Sequence, residues 1–182
     1  KHQGFRIFVS IKDKKMKKIK MLDSIKILAI AGTGIIASVW SYRIIKKEFF
    51  TNQNQEIDTM ARTIWGEARG EGTAGMVAVG NVILNRVAAG SWYGLTVSEV
   101  CKKPKQFSCW NPDDPNYKKM LAVNTSDPQF KVALQIANNL IKYGRDDDIT
   151  NGATHYHSKN IHPYWADGMT EVATIGNHVF YA

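Results

Sequence analysis

Hydrophobic positions in the C-terminal two thirds of this chain follow the spacing of amphipathic helices. From Ile57 to Ala68, apolar residues recur at i, i+3, i+4 and i+7, which is one face of a helix, and Gly70 marks its expected end. A second helix is predicted from Thr73, as its N-cap, to Val87. Its apolar residues lie on nearly every face, which indicates a buried central helix.

A third helix has clear signals at both ends. Asp127 is the predicted N-cap, Pro128 the first helical residue, and the apolar face continues to Ile141. A shorter helix is predicted over residues 96–100, with a threonine as its cap. Prolines within residues 104–115 predict a long loop between these elements.

The last forty residues show a different pattern. Short strands are predicted at Ala153–His157 and His178–Tyr181, and the remainder has loop character. We therefore expect an α+β fold, mainly helical, in which residues 56–182 form a small domain with short strands and a cleft made by loops.

The N-terminal quarter predicts a membrane element. Residues 1–24 are basic, and an uncharged run from Ile27 to Tyr42 follows. We assign residues 25–45 to a signal-anchor or transmembrane helix, with the basic end in the cytoplasm. A cleaved signal peptide and a buried amphipathic helix are the alternatives. Residues 46–55 are polar and are predicted to form a linker.

Two features qualify this interpretation. The run is rich in Ala, Gly, Ser and Thr and only weakly hydrophobic, so it resembles the signal-anchor-release segments of some phage endolysins. The sequence also begins with Lys1, and Met16 or Met21 is a candidate first residue. Residues 1–15 are therefore assigned no function.

The distribution of charge argues against nucleic acid as a partner. The net charge of the chain is +8. Residues 1–50 hold 12 Lys and Arg against 3 Asp and Glu, a net charge of +9, whereas residues 51–182 hold 12 against 13, a net charge of −1. A nucleic-acid-binding domain carries its positive charge on the folded surface. Here the globular part is nearly neutral.

One acidic segment stands out for its chemistry. Glu67 lies at the end of the first predicted helix, beside Ile64 and Trp65. A carboxyl group next to apolar side chains loses hydration, which favours its protonated form. A protonated carboxyl is what cleavage of a glycosidic bond needs as a general acid. The alternative is that Glu67 and the nearby Glu71 only form ion pairs with neighbouring arginines, Arg62 or Arg69.

Five stretches in order resemble one family, the SleB/CwlJ cell wall hydrolases. They are Ala61–Glu71, Gly75–Val87, Lys105–Asn111, Gly152–His157 and Ile175–Tyr181.

The resemblance covers about residues 57–182 and implies a lysozyme-like domain that cleaves peptidoglycan. It places Glu67 as the essential acid on the bond between N-acetylmuramic acid and N-acetylglucosamine. In a lytic transglycosylase the same group then acts as base on the muramic 6-hydroxyl and closes a 1,6-anhydro ring. Simple hydrolysis uses a pair of carboxylates, for which Glu71 is the candidate.

The predicted substrate-binding residues come from the matched motifs, and no cofactor is expected. They are Glu71, Gln106, His155, Tyr156 and His157. The expected partners are glycan strands of peptidoglycan and, through the N-terminal segment, a membrane. The catalytic domain is expected outside the cytoplasm, either anchored to the inner membrane or released to the periplasm or cell wall.

Two other functions stay open. Four histidines could bind zinc, as a zinc-dependent N-acetylmuramoyl-L-alanine amidase would require: His155, His157, His162 and His178. The family match favours hydrogen bonding by these side chains, and no metal site is predicted. The third function is that of a catalytically inactive wall-binding protein.

Aromatic residues at 92, 93, 110, 156, 164 and 165 could stack on sugars, although core packing is the default for each. Cys101 and Cys109 could form a disulfide outside the cytoplasm or remain as free thiols.

Overall fold

The computed structural model describes residues 35–182, with side chains from residue 41 onward. The described residues form helices α1 (Ile35–Ala68), α2 (Gly72–Ala89), α3 (Val97–Lys102), α4 (Tyr117–Ala122) and α5 (Pro128–Tyr143), strands β1 (His155–Ser158), β2 (Glu171–Ile175) and β3 (His178–Tyr181), and 3₁₀ turns at Ser108–Trp110 and Tyr164–Gly168. The fold is mainly helical with a small sheet, which confirms the predicted class.

The chain divides into two units, residues 1–53 and 54–182. The described part of the first unit is helical, and the same helix continues into the second unit. It covers residues 46–55, where a polar linker is predicted, and this segment contains neither Gly nor Pro, the residues that interrupt a helix.

The membrane segment predicted at residues 25–45 begins outside the described residues. Within residues 35–182, no helix combines the length and the apolar character needed to cross a bilayer.

Helix α2 is the centre of the second unit, as its apolar residues predict. Met76, Val79 and Ile83 are fully buried on one side of the helix and belong to the main core with α1 and α5. Ala78 and Val82 are fully buried on another side, in the cluster that holds Phe180 of β3. A helix buried on several faces can connect a helical layer to a sheet, and α2 does so here.

The helix caps agree with the sequence in two places and differ in a third. The side chain of Thr96 accepts the backbone N–H of Glu99, and that of Asp127 accepts the backbone N–H of Phe130, both as predicted. The residue that precedes α2 is Glu71, not Thr73, and its side chain does not cap the helix. Helix α4 is not predicted by the sequence.

The three strands form one antiparallel sheet in the order β1-β3-β2. Tyr156 of β1 is paired with Phe180 of β3, and His155 with Tyr181. Because side chains alternate across a strand, Tyr156 and Phe180 share the face that packs on α2, whereas His155 and His157 lie on the other face. Strand β3 has the predicted bounds. Strand β2 is missed by the sequence analysis.

Candidate active site

The carboxyl group of Glu67 lies in the last turn of α1 and accepts two hydrogen bonds. Its Oε1 accepts the backbone N–H of Cys109 at 3.1 Å, and its Oε2 accepts the phenolic O–H of Tyr156 at 2.9 Å. The side chain is half-buried, so the group is neither free in solvent nor sealed in the core. Two donors from different parts of the chain therefore fix the orientation of one partly accessible carboxyl group.

The donor from Cys109 depends on a glycine in α1. Gly66 precedes Glu67, and a Cβ at this position would lie 2.7 Å from the Cβ of Cys109. The absence of a side chain at Gly66 allows the 3₁₀ turn Ser108–Trp110 to approach the helix closely. The turn is also held by Trp110, whose indole N–H donates to the hydroxyl of Thr63 at 2.9 Å.

Tyr156 of β1 connects the sheet to Glu67 through its hydrogen bond. Its ring centroid lies 5.0 Å from that of His178 and 5.6 Å from that of Phe180. Burial raises the pKa of Tyr156 well above its ordinary value, and the negative charge of Glu67 adds to the shift. The phenol therefore stays protonated through the neutral range and can donate to Glu67. Burial also lowers the pKa of His178, so this imidazole is neutral there.

Arg86 is a buried cation behind the site. Its Nε donates to the carbonyl of Thr154 at 2.7 Å, and its Nη1 donates to the side-chain Oε1 of Gln106 at 2.7 Å. Its guanidinium carbon lies 4.7 Å from the ring centroid of Phe107. Desolvation lowers the pKa of Arg86, and the negative charge of Glu67 is among the effects that oppose this shift. The residue ties the 103–109 loop to the start of β1.

Glu71 is directed to a turn of the sheet. Its Oε2 accepts the backbone N–H of Asn177 at 2.8 Å, and this hydrogen bond is the main cause of its lowered pKa. Gly176 has a φ of +58°, and a Cβ there would lie 2.7 Å from the same carboxylate oxygen. Glu71 therefore fastens the β2–β3 turn to the start of α2.

The other predicted substrate-binding residues are not brought to one place. Tyr156 contacts Glu67, whereas the side chain of Gln106 accepts a hydrogen bond from Arg86, which does not bind Glu67. His155 and His157 lie on the opposite face of the sheet. His157 Nδ1 donates to the carbonyl of Ser158, so its Nε2 accepts the hydroxyl of Tyr181 at 3.0 Å.

The arginines of the segment make other interactions. Arg62 pairs with Asp58 and donates to the carbonyl of Met120. Arg69 donates to the side chain of Asn116 at 2.7 Å and lies over the ring of Trp65. The alternative in which these arginines pair with Glu67 and Glu71 is therefore wrong.

Two groups of this site were not predicted from the sequence. The amide of Cys109 has no sequence signature, because a backbone N–H is common to almost every residue. Arg86 had a signal: a charged residue between the apolar Ile83 and Val87 of a buried helix needs partners inside the fold.

No three His, Cys, Asp or Glu side chains converge in residues 35–182 in a way that could hold a metal ion. Cys101 and Cys109 are both buried and free. Burial raises the pKa of Cys101 to about 12, as expected for an unreactive thiol.

A half-buried carboxyl group held by a phenol and an amide, at the junction of a helical core and a sheet, defines a candidate site for acid–base catalysis. A family model described as Cell Wall Hydrolase matches residues 70–181, and the chain belongs to this family of enzymes. The predicted resemblance is confirmed. The matched range begins just after Glu67.

Relatives with a known role are similar to more than half of the chain. A spore cortex-lytic enzyme of Oceanobacillus iheyensis is 32% identical over 133 residues, which is 69% of this chain and 41% of that protein. A spore cortex-lytic enzyme of Bacillus cereus is 31% identical over 133 residues, 69% of this chain and 43% of that protein. The chain thus spans about two fifths of the length of these relatives.

Two solved structures have a similar fold. The catalytic domain of the Bacillus cereus SleB protein superposes with a TM-score of 0.54 at 28% identity, over 71% of this chain and 91% of that one. The catalytic domain of a germination-specific lytic transglycosylase, SleB from Bacillus anthracis, gives a TM-score of 0.54 at 30% identity, over 70% and 93%.

Proposed function

We propose that this protein degrades peptidoglycan as a lytic transglycosylase. It cleaves the bond between N-acetylmuramic acid and N-acetylglucosamine, with Glu67 as the acid and then the base, in a lysozyme-like domain. The observation that carries the proposal is the position of Glu67, which is half-buried and oriented by Cys109 and Tyr156. The similarity to the catalytic domain of a lytic transglycosylase supports the same reaction.

The two hydrogen bonds suit a group that changes its protonation state during the reaction. When Glu67 is ionised, the amide of Cys109 and the phenol of Tyr156 both stabilise its charge. When Glu67 carries a proton, the hydroxyl of Tyr156 can turn and accept it, because a phenol both donates and accepts. The carboxyl group of Glu67 can then deliver its proton to the glycosidic oxygen. Once ionised, it can take a proton from the muramic 6-hydroxyl.

One carboxyl group is sufficient for this reaction. Retaining and inverting hydrolysis use two carboxyl groups about 5–5.5 Å or about 6.5–9.5 Å apart. Glu71 is the second acidic residue of the segment, but its carboxylate is engaged with Asn177 in the β2–β3 turn. Closure of the 1,6-anhydro ring uses the substrate's own hydroxyl as the nucleophile. The arrangement therefore favours transglycosylation over hydrolysis.

The test is a comparison of Glu67→Gln with wild type on purified peptidoglycan in a zymogram and in a turbidity assay. Glu67→Gln keeps the size of the side chain and removes its acidic group. We therefore expect the rate of peptidoglycan clearing to fall at least about a hundredfold. Glu171→Gln, at an exposed carboxylate of β2, is the matched control and should clear the wall as wild type does. Equal clearing by Glu67→Gln and wild type would remove Glu67 from the mechanism.

Sedimentation with the wall, the identity of the released products and the effect of a chelator separate the other two functions. An inactive wall-binding protein would sediment with the wall and release nothing. A zinc amidase would release peptides rather than anhydro-sugars and would lose activity with a chelator. No observation favours the amidase, since His155 Nδ1 shares a hydrogen bond with Thr154 and both ring nitrogens of His157 have partners.

We further propose that the domain acts outside the cytoplasm, held by the segment at residues 25–45 or released from it. The support is the basic cluster before an uncharged run. Fractionation of cells that express the full chain tests this. Protein that stays in the cytosolic fraction throughout would contradict it.

A further inference from the structure

A basic depression lies between α3 and the loop that precedes it, and it has no part in the chemistry described so far. It has a volume of about 370 Å³ and is lined by Tyr93, Gly94, Glu99, Lys102 and Lys103. We call these five residues the basic depression.

The lining carries two lysines and one carboxylate, so its net charge is positive. The ammonium groups of Lys102 and Lys103 make no ion pair with any carboxylate of residues 41–182, and each lies 5.2 Å from an indole centroid, that of Trp110 and of Trp92 respectively. The one carboxylate of the lining, Glu99, accepts the backbone N–H of Leu95 at 2.6 Å and so holds the loop between α2 and α3. The two lysines are available to an anion.

The depression also has an aromatic border. Trp92 is 58% exposed and stacks on Tyr93 with 4.3 Å between ring centroids. Tyr93 therefore covers one face of this indole. Lys103 lies near the same ring. Cation–π contact and stacking hold the lysine and the aromatic pair together, so the surface presents charge beside an apolar wall.

The depression contacts two groups that surround the proposed site. On one side, the ring centroid of Tyr93 lies 5.7 Å from the guanidinium of Arg86, which binds Gln106. On the other side, the loop that begins at Lys103 continues to Cys109, whose amide donates to Glu67. Lys102 also lies over the ring of Trp110, the residue that follows Cys109, so the depression and the hydrogen bond to Glu67 share one loop.

The chemistry of peptidoglycan identifies which substituent fits. The sugars of the glycan are uncharged along the strand, whereas the lactyl group of muramic acid carries a stem peptide with free carboxylates. We propose that the basic depression binds the acidic stem peptide of the muramic acid next to the cleaved bond. This inference rests on the proposed function, because it takes Glu67 as the position of that bond.

The test compares two substrates and two double variants. The substrates are glycan strands stripped of other anionic wall polymers, with the carboxylates of their stem peptides either free or converted to neutral amides. Lys102→Glu/Lys103→Glu reverses the charge of the depression. Lys118→Glu/Lys119→Glu makes the same change on the exposed surface of α4 and is the matched control.

We expect Lys102→Glu/Lys103→Glu to lower kcat/KM about tenfold on strands with free carboxylates, the size of two exposed charge contacts reversed. The same variant should stay within about twofold of wild type on strands with amidated carboxylates, and the control should do so on both. An equal loss on the two substrates, or no loss on either, would overturn the proposal. An equal loss with Trp92→Ala on both substrates would assign the surface to sugar stacking instead.

A binding measurement keeps this inference separate from the proposed function. Cosedimentation with the strands whose stem-peptide carboxylates are free is measured in the Glu67→Gln background, with and without Lys102→Glu/Lys103→Glu. If the wild type degrades neither substrate, the proposed function has failed, and weaker sedimentation of the reversed variant would still support a peptide site. Equal sedimentation would overturn it.

Discussion

At the level of single residues, the site joins groups that are far apart in the sequence. The donors to Glu67 come from Cys109, which is 42 residues away, and from Tyr156, which is 89 residues away. The identity of Glu67 as a candidate acid could be predicted from the sequence, because an acidic residue at the end of an apolar helix is visible there. Its two donors could not be assigned, because one is a backbone amide and the other depends on which face of β1 points inward.

The hydrogen bond from Tyr156 makes a prediction of its own. Tyr156→Phe keeps the ring that packs on His178 and Phe180 and removes only the hydroxyl. A hydrogen bond to a charged group contributes about 1.5–3 kcal/mol, so we expect about a tenfold to hundredfold loss of kcat with little change in thermal stability. Tyr143→Phe, at a tyrosine that is 66% exposed, is the control in the same turbidity assay. Unchanged kcat in Tyr156→Phe would show that the phenol does not assist Glu67.

At the level of elements, the sequence predicted helices better than their surroundings. The ends of α5 and the cap of α3 carry local signals, Asp127 with Pro128 and Thr96, and these local signals agree with the structure. Strand β2 is short and lies at an edge of the sheet, so only pairing with β3 identifies it. The length of α1 was missed because residues 46–55 are polar, and a solvated helix has no apolar face to mark it.

A substitution at Gly66 tests how closely the 3₁₀ turn must approach α1. Alanine favours a helix over glycine by about 1 kcal/mol, so Gly66→Ala would stabilise an isolated helix. In this fold the added methyl group meets the side chain of Cys109. We expect Gly66→Ala to displace the turn and to lower kcat at least about tenfold, because the amide of Cys109 then leaves Glu67. Gly70→Ala, with no atom within 4 Å of its added Cβ, is the control.

Near-wild-type activity in Gly66→Ala, with the fold intact by circular dichroism, would contradict the role assigned to the amide of Cys109.

At the level of the whole molecule, the charge and the core belong to different parts of the chain. Nearly all excess positive charge lies in residues 1–50, whereas the buried side chains of the described residues begin at Thr59. The sequence predicted this division from charge alone. In the second unit, titratable residues lie where the helices contact the sheet, and burial shifts the pKa of some of them. The stability of this unit therefore depends on pH.

The stability should fall as the solution is acidified, in two ranges. Burial lowers the pKa of His178 from its ordinary 6.5, so below about that pH the unfolded chain binds a proton that the native chain resists, and unfolding is favoured. The pKa of Glu71 is lowered from 4.5 by its hydrogen bond to Asn177, so its contribution is present above about that pH and is lost below it.

Urea unfolding at a series of pH values checks this. His178→Gln should remove part of the decrease below about pH 6.5, and His162→Gln, at an exposed histidine, should not. If the free energy of unfolding changes with pH equally in wild type and in His178→Gln, the burial of a neutral imidazole in the native state would be contradicted.

The central claim is that Glu67 transfers a proton to the bridging oxygen and then closes a ring within the sugar. Mass spectrometry of the ends released from purified peptidoglycan tests it most directly. The account predicts 1,6-anhydro-muramic ends, one water lighter than hydrolysed ends, from wild type and none from Glu67→Gln. Reducing muramic ends, or anhydro ends that persist in Glu67→Gln, would contradict it.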